Sequence, residues 1–204
     1  MFVFALLVGV LGCSDNPTRS PVNGELSDAA EFQNAMRKLW EDHITWTRLY
    51  IVSAVSDLPD LGQTAARLLD NQADIGDAVK PYYGNAAGDQ LRDLLRGHIL
   101  IAAELVTSAK DGNPSATNAA SAKWYANADS IAAFLHAANP NNWELSHMED
   151  MMAEHLDLTL EEAVNRIQGN YEAEIAAYDA IHAQILEMAD MLSTGIILQF
   201  PNRF

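Results

Sequence analysis

The sequence predicts an all-α protein, folded as an up-and-down antiparallel helical bundle of four to five long helices and one short one. Three observations predict it. From Ser27 onward apolar residues recur at spacings of three and four, and no stretch alternates with the two-residue period of a strand. The interruptions are short and built from Pro, Gly, Asn and Asp. Long amphipathic helices joined by such short connections lie antiparallel to their neighbours.

The first helix is expected from about Asp28 to Ser56, with Met36, Leu39, Trp40, Tyr50, Ile51 and Ala54 on one face. Leu58-Pro59 ends it, because the residue before proline is pushed out of the helical region. A second helix spans about Leu61 to Val79 on Leu61, Ala65, Leu68, Ile75 and Val79, and Pro81-Tyr82-Tyr83-Gly84 forms its turn. The third covers roughly Ala86 to Ala109. Asn113 then caps, and Pro114 opens, a fourth helix to about Ala138.

After the Asn139–Asn142 break a short helix is expected from Trp143 to about Asp157. Thr159 and Glu162 form a capping box, with Leu158 and Ala163 as its apolar staple, and start the last helix. Its stripe reads Val164, Ile167, Tyr171, Ile175, Tyr178, Ile185, Met188 and Leu192, ending near Gly195. About 35 residues at 1.5 Å each make this element roughly 50 Å long. No internal repeat of fixed length is apparent.

The chain has 204 residues, of which 49 % are apolar, enough for one compact domain placed at residues 27–197. Its 12 basic and 28 acidic residues give a formal charge of −16. No basic stripe is present to neutralise phosphates, so nucleic acid is excluded as a partner.

Residues 1–12 form an uncharged apolar run, too short to span a bilayer but suited to the core of a secretion signal. Val10-Leu11-Gly12-Cys13 resembles the lipobox of bacterial lipoproteins. That resemblance implies cleavage before Cys13 and lipidation of its thiol. The alternative is a buried N-terminal element with an incidental thiol. Cys13 is the chain's single cysteine, so it has no intramolecular disulfide to form. Residues 13–26 are polar and rich in turn formers, the composition of a flexible tether. The expected location is the cell envelope, anchored to the membrane through Cys13. By resemblance to lipoprotein sorting, Ser14 after the cysteine implies the outer membrane where the bacterium has two.

Polar residues that interrupt apolar stripes are the informative positions. His43, Gln72, His98, Asn127 with Asp129 nearby, His155, Tyr178 and His182 each interrupt one. Burying such a group without a partner costs about 1–3 kcal/mol, so several are expected to meet in a network or around a ligand. His43, Gln72, His98, Asp129, His155 and His182 are therefore the candidate set for a metal ion or small ligand, with Arg48 at the edge. The alternative is that each is individually bonded and only sets helix register. His136 and His147 read as peripheral.

A di-iron bundle needs two Glu-x-x-His pairs, and Glu144–His147 is the one clear instance. A cysteine zinc site is excluded by composition. Copper or another transition metal is the candidate cofactor: His147, Met148, Met151, Met152 and His155 crowd one segment, and Met188 and Met191 lie near His182, although methionines also serve as core filler. Phosphate-binding glycine loops and nucleophile elbows are missing, so an enzyme is the less favoured reading.

The runs Leu39–Arg48, Asn71–Gly76, Lys80–Gly84 and His155–Thr159 resemble a family of small bacterial helical proteins over roughly residues 35–200. Some members carry acetylglutamate kinase or glycosyltransferase labels. Those activities belong to α/β folds with phosphate-binding loops, which this chain lacks. The expected function is an envelope lipoprotein whose bundle binds a metal ion or small ligand in the His/Gln/Asp cluster. A structural or interaction lipoprotein and a metal-dependent redox enzyme are the alternatives.

Overall fold

The computed structural model describes residues 27–204. The expected signal segment (1–12), the lipidation site Cys13 and the linker (13–26) lie outside the described residues. Six long helices follow one another: α1 (Asp28–Val55), α2 (Leu61–Tyr83), α3 (Asn85–Lys110), α4 (Pro114–Ala138), α5 (Leu145–Gln168) and α6 (Tyr171–Gln199). A 3-10 turn, Pro201–Arg203, follows. Among the described residues there is no strand, and no helix is long and apolar enough to cross a membrane.

The helix starts follow local chemistry. Ser27 caps α1 by accepting from the Ala30 amide at 3.3 Å, and Asp28 and Glu31 complement the positive end of the helix dipole. Asn113 caps α4 by accepting from the Ala116 amide at 3.2 Å, with Pro114 in the first turn.

Three expected boundaries are corrected, one of them the end of α6, which passes through Gly195 to Gln199. Helix α2 does not stop at Val79 but carries Pro81 within its last turn, as far as Tyr83. There the extra turn seats Tyr82 against Phe32, Phe200 and Phe204, and Tyr83 against Trp143 and Phe200. The short helix followed by a 35-residue one is replaced by two helices of similar length, and the break falls at Gly169-Asn170. Gly169 takes the left-handed conformation (φ 74°) that ends α5. The apparent capping box is spent elsewhere: Thr159 Oγ1 donates back to the His155 carbonyl at 2.8 Å inside α5, and Glu162 reaches α1. Tyr171 and Ile175, placed in the expected stripe, are exposed.

Residue pairings fix the directions. Along α1 and α6, Gln33 meets Thr194, Arg37 meets Asp190, Glu41 meets His182 and Arg48 meets Glu174, so these helices run antiparallel. The same descending pairing joins α1 to α2, α3 to α4 and α5 to α6. Each helix packs on its predecessor, α6 closes on α1, and α1, α3 and α5 also touch one another. Helices α2 and α3 approach closely where two glycines face each other: a Cβ on Gly76 would lie 2.6 Å from the Gly88 carbonyl oxygen.

In an ordinary helix interior Gly→Ala stabilises by about 0.5–1 kcal/mol. At Gly76 the added methyl meets backbone, so Gly76→Ala is expected to destabilise by about 1–3 kcal/mol. Urea denaturation midpoints of the two proteins check this.

Candidate functional site

Along α1, α3 and α5 the same side-chain succession recurs. Met36, Trp40, His43 and Ile44 on α1 correspond to Leu91, Leu95, His98 and Ile99 on α3, and to Met148, Met152, His155 and Leu156 on α5, all buried. The partner helices repeat as well. Leu68, Asn71, Ile75, Gly76 and Val79 of α2 correspond to Trp124, Asn127, Ile131, Ala132 and Leu135 of α4, and to Ile181, Gln184, Met188, Ala189 and Leu192 of α6. The described residues therefore form three variants of one helical hairpin, a repeat absent from the expectation. Its imidazoles stand 55 and 57 residues apart.

Each hairpin carries the same clasp. An amide on the second helix donates to the carbonyl one turn before the histidine: Asn71 to Leu39 at 3.0 Å, Asn127 to Leu94 at 3.2 Å, and Gln184 to Met151 at 3.0 Å. In the second and third hairpins the amide oxygen then faces the imidazole, Asn127 Oδ1 to His98 Nδ1 at 3.0 Å and Gln184 Oε1 to His155 Nδ1 at 3.2 Å. The first hairpin divides this task. Asn71 holds the backbone, while Gln72 Nε2 faces His43 Nδ1 at 3.2 Å and also donates to the Leu68 carbonyl at 2.8 Å.

The three clasped imidazoles converge. The His43 and His155 rings are 5.7 Å apart, and all three sit close enough that a charge on one would oppose a charge on the others. Burial is the main reason their basicity falls, to about 3 at His98 and about 4 at His155, and well below the ordinary imidazole value at His43. The junction is therefore neutral across the physiological range. Trp40 packs edge-on to His43, and Trp124 lies 5.2 Å from His98. Among the described residues, no three His, Cys, Asp or Glu side chains are placed to hold one metal ion together. The neighbouring cavity, lined by Ile51, Ile99, Leu105, Val106 and Ala163 among others, is apolar and only about 30 Å³. That is room for no more than a water-sized guest.

Of the expected site residues, His43, Gln72, His98 and His155 come together, and Asn127 supports them. Two do not. Asp129 is exposed, since it lies some 200° around α4 from Asn127 at 100° per residue. His182 stays at the rim, where its Nε2 meets Glu41 Oε1 at 2.9 Å. His136 is half-buried against the Trp143 carbonyl, and His147 is exposed. Asn71 and Gln184 were missed, although both follow from superposing the three hairpins.

A second buried polar group was also missed. Arg48 bridges Glu162 of α5 (2.7 Å) and Glu174 of α6 (2.9 Å), both buried. Arg166 reaches Glu174 at 3.4 Å and Ser56 Oγ at 3.1 Å. Burial pushes the Glu162 carboxyl up to about 7 despite Arg48. Hence Arg48 lies not at the imidazole junction but at a charged corner joining α1, α5 and α6. Comparison with protein-family models, curated proteins and solved structures finds no match to the chain.

Removing Arg48 strands buried Glu162 and leaves Glu174 with Arg166 alone, so Arg48→Met is expected to cost about 3–5 kcal/mol in chemical denaturation, with part recovered by adding Glu162→Gln. The pH dependence has two opposing parts. Below about 6.5 the unfolded chain protonates three imidazoles that the folded chain holds neutral, so stability falls as pH drops from there toward about 4. Glu162 acts oppositely, because folding favours its protonated form, and its contribution is lost as pH rises from about 4.5 to about 7. Three imidazoles outweigh one carboxyl, so stability declines on acidification. Glu162→Gln should steepen that decline by about one proton in denaturation midpoints across the pH series.

Proposed function

We propose that this protein is a cell-envelope lipoprotein, anchored through Cys13, whose up-and-down bundle binds a metal ion or small ligand at the junction of His43, His98 and His155. One observation carries the reading: three hairpins that differ at most other positions each hold a clasped, buried imidazole at the matching place in the interior, with the His43 and His155 rings 5.7 Å apart. A lone buried histidine is ordinary, whereas three equivalent ones that meet suit a shared guest. The family resemblance over residues 35–200 remains a likeness and lends no activity.

A second reading rests on the clasps themselves. Every Nδ1 already has an amide partner, and the adjoining cavity is too small for an organic molecule. In this reading the imidazoles set hairpin register, and the bundle serves as a structural or interaction module.

The two readings part in native mass spectrometry with elemental analysis of protein purified without chelators. The binding reading predicts a near-stoichiometric adduct or metal that disappears in His98→Gln. A guest-free wild type, with His98→Gln changing melting temperature alone, contradicts it and favours the register role. Anchoring is tested separately: the full chain expressed in a bacterium should partition into detergent, and Cys13→Ser should release it to the aqueous phase.

A further inference from the structure

The three hairpin turns, at residues 56–60, 111–113 and 169–170, lie at the end of the bundle opposite Ser27. The 28 residues of α1 put that end about 42 Å from the start of the first helix. One turn beyond each clasped histidine, toward this end, stand the small residues Thr47, Ala102 and Thr159. Both hydroxyls turn back on their own helices: Thr47 Oγ1 donates to the His43 carbonyl and Thr159 Oγ1 to the His155 carbonyl, each at 2.8 Å. All three residues line the apolar cavity described above, which is the gap their small side chains leave. Of its other lining residues, Tyr50, Ala109, Leu160, Val164 and Ile167 are half-buried or exposed, so the cavity lies just beneath the surface.

This end is also where apolar surface meets solvent. Of the seven large apolar side chains exposed among the described residues, Leu49, Leu58, Val164, Tyr171 and Ile175 lie here. Grouped apolar exposure of this kind marks a contact surface. Charge selects what can cover it. The cations at this end are already engaged: Lys110 with Asp57 at 2.5 Å, Arg48 with Glu162 and Glu174, and Arg166 with Glu174. Asp60, Asp111, Glu161 and Glu172 are exposed, with no ion-pair partner among the described residues. Glu161 sits one turn from Val164 on the same helix face. A second copy, also at −16, would be repelled, and so would an anionic lipid surface. A cationic, amphipathic polypeptide meets both demands.

We propose that the hairpin-turn end of the bundle docks a basic amphipathic helix of a partner protein. Its apolar face covers Leu160, Val164 and Ile167, and the tip of one side chain enters the cavity as an anchor. Its lysines or arginines face Glu161 and the neighbouring carboxylates. This docking is independent of any guest at the histidine junction.

The test is fluorescence anisotropy of the full protein with a labelled synthetic leucine–lysine peptide whose leucines share one helical face. The control peptide has the same residues scrambled, so charge is equal and the apolar face is lost. The amphipathic peptide should bind about tenfold tighter than the scrambled one at physiological salt. Val164→Ser and Ala102→Val, which fills the cavity, should each abolish most of that advantage. Glu161→Gln with Glu172→Gln should slow association and flatten its salt dependence. Should Ala102→Val fail to fold, amide NMR of the wild type replaces it. Peptide-induced shifts confined to the surroundings of Tyr50, Ala109 and Val164 support the proposal, and shifts spread over the acidic surface overturn it. Equal binding of both peptides, or no binding of either, also overturns it.

Discussion

The arrangement depends on one interaction, the amide clasp that ties each inward imidazole to the opposite helix of its own hairpin. A buried imidazole with no partner costs about 1–3 kcal/mol, and so does a buried amide. In the second and third hairpins each satisfies the other, and the amide nitrogen takes hold of the backbone one turn away; in the first, Asn71 holds the backbone and Gln72 faces the ring, with Gln72 Oε1 left unpaired. A hairpin that slipped by a turn would break both bonds together. The clasp therefore sets hairpin register and the height of the histidine at once. Repeated three times, it brings three rings to one level of the bundle.

The threefold pattern is broken in two places. One is the first hairpin, where Asn71 and Gln72 share the work of a single amide and reverse the direction of the bond to the ring. The other is the charged corner. Where α1 carries Arg48 and α5 carries Glu162, the matching positions on α3 are Ala103 and Leu105. Arg48 and its two carboxylates thus belong to the seam where the third hairpin closes on the first. Sequence neighbours hold the other hairpin contacts near each other in the chain, but this seam joins its two ends. A buried ion pair is a selective contact for that task, because a wrongly docked α6 would leave its charges bare.

Much of this was legible from spacing. The helical class, the cap at Asn113, and the inward positions of His43, Gln72, His98 and His155 follow from apolar periodicity and turn chemistry. The errors have one main source. Thr159 and Glu162 imitate a helix start, and the residue that gives Glu162 its real partner lies 114 positions earlier, beyond any local pattern. Taking that false start hid the break at Gly169-Asn170, and the apolar stripe was carried across it in the wrong phase. His182 then seemed to face inward beside Tyr178, whereas the buried row of α6 runs through Ala177, Ile181, Gln184 and Met188. With α5 and α6 misdivided, the third hairpin did not match the other two, and the repeat stayed hidden.

The central claim is that three neutral, amide-clasped imidazoles share one interior junction. Long-range nitrogen–proton NMR of the full protein labelled at histidine nitrogen tests it most directly. His98 and His155 should show hydrogen on Nδ1, facing the Asn127 and Gln184 oxygens, and none of the three rings should titrate near the ordinary imidazole value. If any of these rings titrates near 6.5, the ordinary value for a solvated imidazole, the shared dry junction does not exist.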